Sequence, residues 1–505
     1  MATTSKLQDR PTFQEQKFVL QLDRKDLIIT HGWIANDRVA SSDNLRFAVE
    51  NPADGSLIAE VADCGAAEAR AAADAAHRAF ASWRKLLAKE RAAHLQAWLG
   101  LVKRNQEDLA RLISLEQGKP LIESRGEVAY GAAYIEWFAE EAKRAYGDVI
   151  PETAPGRKII VMKEPVGVAA AITPWNFPIA MLARKIAPAL AAGCTIVAKP
   201  AEDTPFSALA LALLAAEAGV PAGVINVVPA SRRNAAAVAD AWLEDERVRK
   251  LSFTGSTAVG KHLAEASAPT LKRLSLELGG NAPFIVFEDA NLDEAVKGMI
   301  AAKFRNAGQT CICANRIYVA DAIYDEFAER AVNAVAKLRV GAAGGDAEIG
   351  PLINGRALEK VERHVANAVE RGARVLTGGK RHSLGLHFYE PTVLANVDSS
   401  MIVSCEETFG PVAPLFRFQT EDKVIAAANG TPFGLAAYFY SRDIARVMRV
   451  SAALEAGMVG INETAISTEV APFGGVKDSG YGREGSSYGI DEYLQTKYLC
   501  LGGLS

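Results

Sequence analysis

Between residues 66 and 121 the chain is rich in Ala, Leu, Glu and Arg, with apolar positions three to four apart. That period predicts long amphipathic helices, punctuated by Gly118 and Pro120. Beyond about residue 165 the pattern changes to short apolar runs that alternate with helical stretches. It predicts a strand over 167–172, a turn over 173–178, a helix through Leu190 and a second strand over 194–198. Thr204 is placed to cap a helix that starts at Pro205 and is closed by Gly219 and Pro221. A strand over 224–228, a helix over 234–244 and a strand over 250–253 follow. After Glu277 the alternation resumes with a strand over 284–287 and a helix over 292–305, and it continues to about Asn462. Residues 474–489, rich in Gly and Ser, read as an extended loop. The tail, 493–501, is β-compatible and suited to pairing with another chain. Strand–helix alternation of this kind calls for parallel sheets with crossover helices. The expected fold class is α/β, with two α/β domains and a small appended β element.

Composition narrows the function classes. At roughly 150 residues per domain, 505 residues correspond to two to four domains. Hydrophobic residues make up 49% and charged residues 23%, so the chain has ample apolar surface to bury. The formal charge of −4, without a Lys/Arg run, offers no footprint for nucleic acid or a membrane surface. The most apolar stretch, 208–228, is interrupted by Glu217, Gly219, Pro221 and Gly223, which argues against a membrane span. Residues 1–16 lack the apolar core of a secretory signal. Six cysteines, none in a CxxC pair, and seven histidines without an HExxH motif give no disulfide scaffold and no metal site. A cytoplasmic, reducing setting is expected.

Candidate chemistry gathers at strand ends. Gly255 and Gly260 stand in Phe253-Thr254-Gly255-Ser256-Thr257-Ala258-Val259-Gly260, which follows a strand and opens a helix. A helix start there would offer unpaired N–H groups to a phosphate, although Thr257 replaces the middle glycine of the usual GxGxxG. Glu277, 22 positions after Gly255, and Glu202, just beyond a strand end beside Lys199, are both candidates to bind a ribose. Cys311 and Cys313 lie in Gly308-Gln309-Thr310-Cys311-Ile312-Cys313. Most cysteines are small buried hydrophobes, but a loop entering a helix would depress the pKa of a thiol at the helix start.

From about Ile28 onward the chain resembles the aldehyde dehydrogenases. The resemblance is carried by Thr173-Pro174-Trp175-Asn176-Phe177-Pro178, Lys199-Pro200-Ala201-Glu202, Phe253-Thr254-Gly255-Ser256-Thr257, Leu276-Glu277-Leu278-Gly279-Gly280, Gly308-Gln309-Thr310-Cys311 and Glu406-Glu407-Thr408-Phe409-Gly410-Pro411. The stretch from Lys303 to Cys313 and the tail Gly482-Arg483-Glu484-Gly485 are similar to succinate-semialdehyde dehydrogenases in particular. The family resemblance implies two Rossmann-like domains, an NAD-binding one over 1–147 and 165–276 and a catalytic one over 277–477. It also implies an oligomerisation element from 148–164 and 478–505.

By the same resemblance Cys311 is the nucleophile, Asn176 and the Cys311 N–H stabilise the oxyanion, and Glu277 is the general base. Lys185 would support Asn176. Thr173, Trp175, Lys199, Glu202, Gly255, Ser256, Gly260, Glu407 and Phe409 would hold the dinucleotide. The carboxylate of Glu202 would repel a 2′-phosphate, which favours NAD, while Lys199 pulls toward NADP. Arg184, Arg305 and Ser467 would grip the distal carboxylate of a small aldehyde, succinate semialdehyde or the one-methylene-longer glutarate semialdehyde. Cys313 would pair with Cys311 as a redox switch, and a homo-oligomer, dimer or tetramer, is implied. Two other classes remain open on the residues alone: a cofactor-free thioester hydrolase or acyltransferase, and a non-enzymatic binding protein.

Overall fold

The computed structural model describes residues 20–503, so the leader expectation at residues 1–16 lies outside the described residues. Two large sheets organise the chain. In the first, Val168–Ile172, Thr195–Lys199, Ile225–Val227, Val248–Thr254 and Arg273–Glu277 run parallel. Antiparallel partners flank them, Gly480–Tyr481 at one edge and Gly32–Ile34 with Asp37–Val39 at the other. Successive strands step outward from Val168–Ile172 in both directions, so the strand order reverses between Val168–Ile172 and Val248–Thr254. Open α/β sheets bind their ligands outside the carboxyl ends of the strands at such a reversal.

The second sheet has seven strands. Ala282–Val286 and Ala314–Ala320 lie at its centre, and only Arg374–Thr377 at one edge is antiparallel. The inner strands of both sheets are buried on both faces, as strands covered by helices must be.

The helical run extends further than the pattern predicts, as Ala66–Trp83, Ala88–Arg104, Gln106–Gln117 and Leu121–Glu141. Gly131 in the last of these lets it lie against Pro178–Ala192, since a Cβ there would sit 2.8 Å from Ile179. Pro178–Ala192 starts on proline, ends on left-handed Gly193 and is buried at every residue, Arg184 and Lys185 included. Buried cations need partners, and theirs come from the far end of the chain.

Two expectations are corrected. Thr204 does not cap Pro205–Glu217 with its side chain. The buried carboxylate of Glu116 does so instead, accepting from the Phe206 and Ser207 N–H groups at 2.8 and 2.9 Å. The 474–489 segment contains the edge strand Gly480–Tyr481 and the start of the short helix Ser486–Asp491, because tertiary pairing orders a stretch with weak local preference. The tail forms the strand Leu494–Leu501, antiparallel to Lys158–Pro165, which also pairs with Asp148–Ile150. Among the described residues no helix is long and apolar enough to cross a membrane, and no cluster of His, Cys, Asp and Glu is placed to hold a metal ion.

Candidate active site

Asn176 lies in the turn between Val168–Ile172 and Pro178–Ala192 and is held from three sides. Lys119 Nζ donates to its carbonyl at 2.6 Å and to Glu127 at 2.7 Å. Asn306 Nδ2 donates to the same carbonyl at 3.1 Å, while Asn176 Nδ2 donates to the Gln309 carbonyl at 3.0 Å. Glu127 in turn accepts from the Ile179 N–H at 2.9 Å, capping the helix that Asn176 precedes. All these groups are buried.

The loop that carries Cys311 is built from strained backbone. Asn306, Ala307 and Gly308 take successive left-handed conformations, with φ of 53°, 54° and 75°. At Gly308 a Cβ would stand 2.2 Å from the Gly410 carbonyl, so both conformation and close approach require glycine. Surrounding bonds hold the strain in place. The Asn306 N–H donates to Glu123 at 2.9 Å, and Gln309 bridges the Pro351 carbonyl and the Ile353 N–H.

Cys311 follows on a turn that leads into the strand Ala314–Ala320. The expected helix start is absent, and with it the expected lowering of the thiol. Burial instead raises Cys311 to about 12; Arg184 and Arg305 oppose that rise, and Glu407 and Glu277 add to it. Cys313 is buried with its sulfur 3.2 Å from Lys303 Nζ, and no helix follows it either.

Cys311 lines two cavities. The larger, about 450 Å³, opens at the strand reversal of the first sheet. Its wall carries Trp175, Asn176, Glu202, Gly255, Ser256, Glu277, Glu407 and Phe409. Glu277 ends the strand Arg273–Glu277, fully buried, with neither carboxylate oxygen hydrogen-bonded. Burial, with the charge of Glu484, raises its pKa well above the ordinary range. Glu407 accepts from the Gly280 N–H at 3.3 Å, and burial raises it to about 7. Phe409, left-handed at φ 55°, meets the Trp175 ring edge-on at 5.5 Å.

Three residues assigned to this group lie off that wall. Lys199 is buried with Nζ donating to the Pro200 carbonyl, the Thr173 N–H donates to the Lys199 carbonyl, and Gly260 faces the Leu278 side chain. Their burial suits them to building the crevice. The helix after Gly255 begins at Thr257, with Ser256 Oγ accepting from the Val259 N–H as its cap. A helix start opening on a crevice at the strand reversal fits an anionic dinucleotide.

The second cavity is narrow and brings Arg184, Arg305 and Ser467 together with Cys311, Tyr130, Phe177 and Phe473. Arg305 reaches over the Phe177 ring at 5.3 Å and is exposed. Arg184 is buried, stacked 4.4 Å over Phe473 and ion-paired with Glu484. Glu484 also pairs with Lys185, whose Nζ donates to Ser252 at 3.2 Å. Lys185 is therefore tied to Glu484 and Ser252 and makes no hydrogen bond to Asn176. Lys119, Glu127, Tyr130 and Glu484 were not singled out from the sequence. The only local hints were Gly118-Lys119-Pro120 and the Gly482–Gly485 motif.

Comparison with known proteins places these features in a family. Residues 39–499 match the Aldehyde dehydrogenase family. The NADP(+) succinate-semialdehyde dehydrogenase GabD of Escherichia coli (strain K12) is 58% identical over 482 residues, 95% of this chain and 98% of that protein. A glutarate-semialdehyde dehydrogenase of Pseudomonas aeruginosa is 55% identical over 487 residues, 96% of this chain and 100% of that protein. The crystal structure of succinate-semialdehyde dehydrogenase from Burkholderia pseudomallei superposes with a TM-score of 0.94 at 56% identity, over 95% of this chain and 100% of that one.

Proposed function

Because this chain belongs to the aldehyde dehydrogenase family, we propose that it oxidises succinate semialdehyde to succinate, with NAD preferred to NADP. It is an NAD(P)-dependent oxidoreductase. The observation that carries the substrate reading is the position of Cys311, which lines both the large crevice and the narrow cavity holding Arg184, Arg305 and Ser467. An aldehyde whose far end bears a carboxylate can reach Arg305 and Ser467 while its carbonyl meets the thiol.

The protein's own groups account for each step. Cys311 gives its proton to solvent water in the open crevice and its sulfur attacks the aldehyde carbon; the C–S bond forms and the carbonyl electron pair moves to oxygen. An amide NH₂ carries two hydrogens, so the Asn176 bond to Gln309 orients that group and leaves a second donor for the oxyanion. The Cys311 N–H is the other donor. Trp175, Gly255, Ser256, Glu202, Glu407 and Phe409 would hold the dinucleotide, whose nicotinamide supplies the hydride acceptor when bound. Glu277 then takes a proton from water, whose oxygen attacks the resulting thioester, and Cys311 leaves as thiolate. The high pKa of Glu277 makes it a strong base once ionised.

Glu202, half-buried on the crevice wall, disfavours a 2′-phosphate, although the relative from E. coli is an NADP(+) enzyme by name. The same reading takes residues 148–164 and 478–505 as the oligomerisation element of a cytoplasmic dimer or tetramer. Val149 and Tyr498, 79% and 59% exposed, lie on its three-stranded sheet and support that. A Cys311–Cys313 redox pair would require Cys313 to leave Lys303. The deciding experiment compares kcat/KM for succinate and glutarate semialdehydes with both dinucleotides. Preference for the glutarate compound, or for an uncharged aldehyde, would overturn the substrate assignment.

A further inference from the structure

His364 lies on the helix Gly355–Glu370, outside the walls of both cavities, and is fully buried. One imidazole there grips two residues that flank Glu407. Its Nε2 is 3.2 Å from a Glu406 carboxylate oxygen, and its Nδ1 is 3.2 Å from Thr408 Oγ1. An ionised carboxylate only accepts, so Nε2 carries the hydrogen; in the neutral ring Nδ1 then accepts from the Thr408 hydroxyl. Both nitrogens are thereby used. Burial, aided by nearby Lys360, lowers His364 to about 4 and keeps the ring neutral near pH 7.

The geometry has a consequence for Glu407. Glu406 and Thr408 are the chain neighbours of Glu407, so tying both to one imidazole fixes the backbone that places Glu407 on the crevice wall, where it accepts from the Gly280 N–H. The helix adds two further ties to this segment: Arg363 bonds Glu406 at 2.8 Å, and Asn367 Oδ1 accepts from the Ile402 N–H at 2.9 Å. We propose that His364 is a positioning residue for dinucleotide binding, acting through Glu407 by clamping the residues on either side of it. This rests on the reading that Glu407 holds the ribose next to the nicotinamide.

The test uses the full-length enzyme and calorimetric titration with NAD, ADP-ribose and ADP. ADP lacks the second ribose and reports the adenosine end alone. Loss of one or two hydrogen bonds corresponds to about a five- to fiftyfold change in affinity. His364→Asn is expected to weaken NAD and ADP-ribose about tenfold and to leave ADP unchanged. His364→Gln, which can still reach Glu406, should recover part of the loss. In a Glu407→Gln background the same substitution should cost less than about twofold, since a residue acting through Glu407 is not additive with it. Equal weakening of NAD and ADP, or full additivity, would overturn the proposal. Thr408→Val and Glu406→Ala each remove one contact to His364 and should show the same ligand split, which covers a His364 variant that does not fold. If Glu407→Gln leaves NAD and ADP-ribose affinity intact, it is the ribose assignment that fails.

Discussion

Replacing Glu484 by Gln tests the electrostatic design of the site more directly than any change at the thiol. Glu484 is a nearly buried carboxylate that pairs with two fully buried cations, Arg184 and Lys185. Removing one partner of a buried ion pair costs about 3–5 kcal/mol, because the remaining charge is left uncompensated. Two cations are stranded here, but burial already holds Lys185 below its ordinary pKa and it can shed its proton. The lower figure, about 3 kcal/mol, is therefore the expected loss. At about 2–4 °C per kcal/mol for a domain of this size, the melting midpoint should fall by about 6–12 °C. The same substitution acts on Glu277. Burial raises that carboxyl first and the Glu484 charge second, while Arg184 and Lys185 lower it. Taking away the negative charge and keeping at least Arg184 favours the ionised form, so the folded pKa falls. Since the base must be ionised to activate water, the acid limb of the kcat profile should move to lower pH. Differential scanning fluorimetry and steady-state NADH formation from pH 5 to 10 read the two effects, with Glu484→Asp as a variant that retains charge. An unchanged melt together with an unmoved acid limb would refute the view that this one carboxylate balances both cations and tunes the base.

Cys311→Ala is expected to abolish aldehyde oxidation while calorimetric NAD affinity stays within about twofold; measurable turnover would remove Cys311 as nucleophile. Arg305→Ala should cost carboxylated aldehydes at least about 2 kcal/mol, roughly 30-fold in kcat/KM, the low end of the range because Arg305 is exposed; an equal loss for butanal would make its role structural. Glu202→Ser should raise the NADP-to-NAD ratio of kcat/KM by about tenfold, and an unchanged ratio would point to another discriminating residue. With the Cys311 thiol at about 12, alkylation by iodoacetamide should be slow at pH 7 and rise about tenfold per pH unit through the alkaline range; a rate that is flat above pH 8 would contradict that ionisation.

The parallel sheets were legible in the sequence because apolar runs bounded by Gly and Pro, alternating with helical periods, are local signals. Asn176 and Glu407 were legible only through family motifs, and Glu277 by its spacing only as a ribose candidate; nothing in their immediate spacing says that they share a cavity wall. What escaped notice depends on partners distant in the chain. Glu116 caps a helix 89 positions later, Lys119 holds Asn176 across 57 positions, and Glu484 meets Lys185 across 299. Such contacts leave no periodic trace. The tail was read as β, which it is, but its register against Lys158–Pro165 was not legible, because propensity alone carries no information about which edge a strand will choose.

The misreading at Cys311 has the same origin and explains more of the site. A loop of Gly, Gln and Thr before a cysteine suggests a helix start and a lowered thiol, but whether a helix follows depends on the next residues, and Ala314–Ala320 is a central strand. Without a helix dipole the thiol is governed by burial and by four charges. Arg184 and Arg305 favour the thiolate; Glu407 and Glu277 oppose it. Three of these four are themselves adjusted by neighbours: Arg184 is paired to Glu484, Glu277 is raised by Glu484, and Glu407 is raised to about 7 by burial. Burial thus works against ionisation of the Cys311 thiol and of the two carboxyls that would most repel its thiolate, Glu407 and Glu277. A change at any one of these groups shifts the ionisation of the others, so the site is set by the charge balance of the whole cluster and not by the local environment of one cysteine.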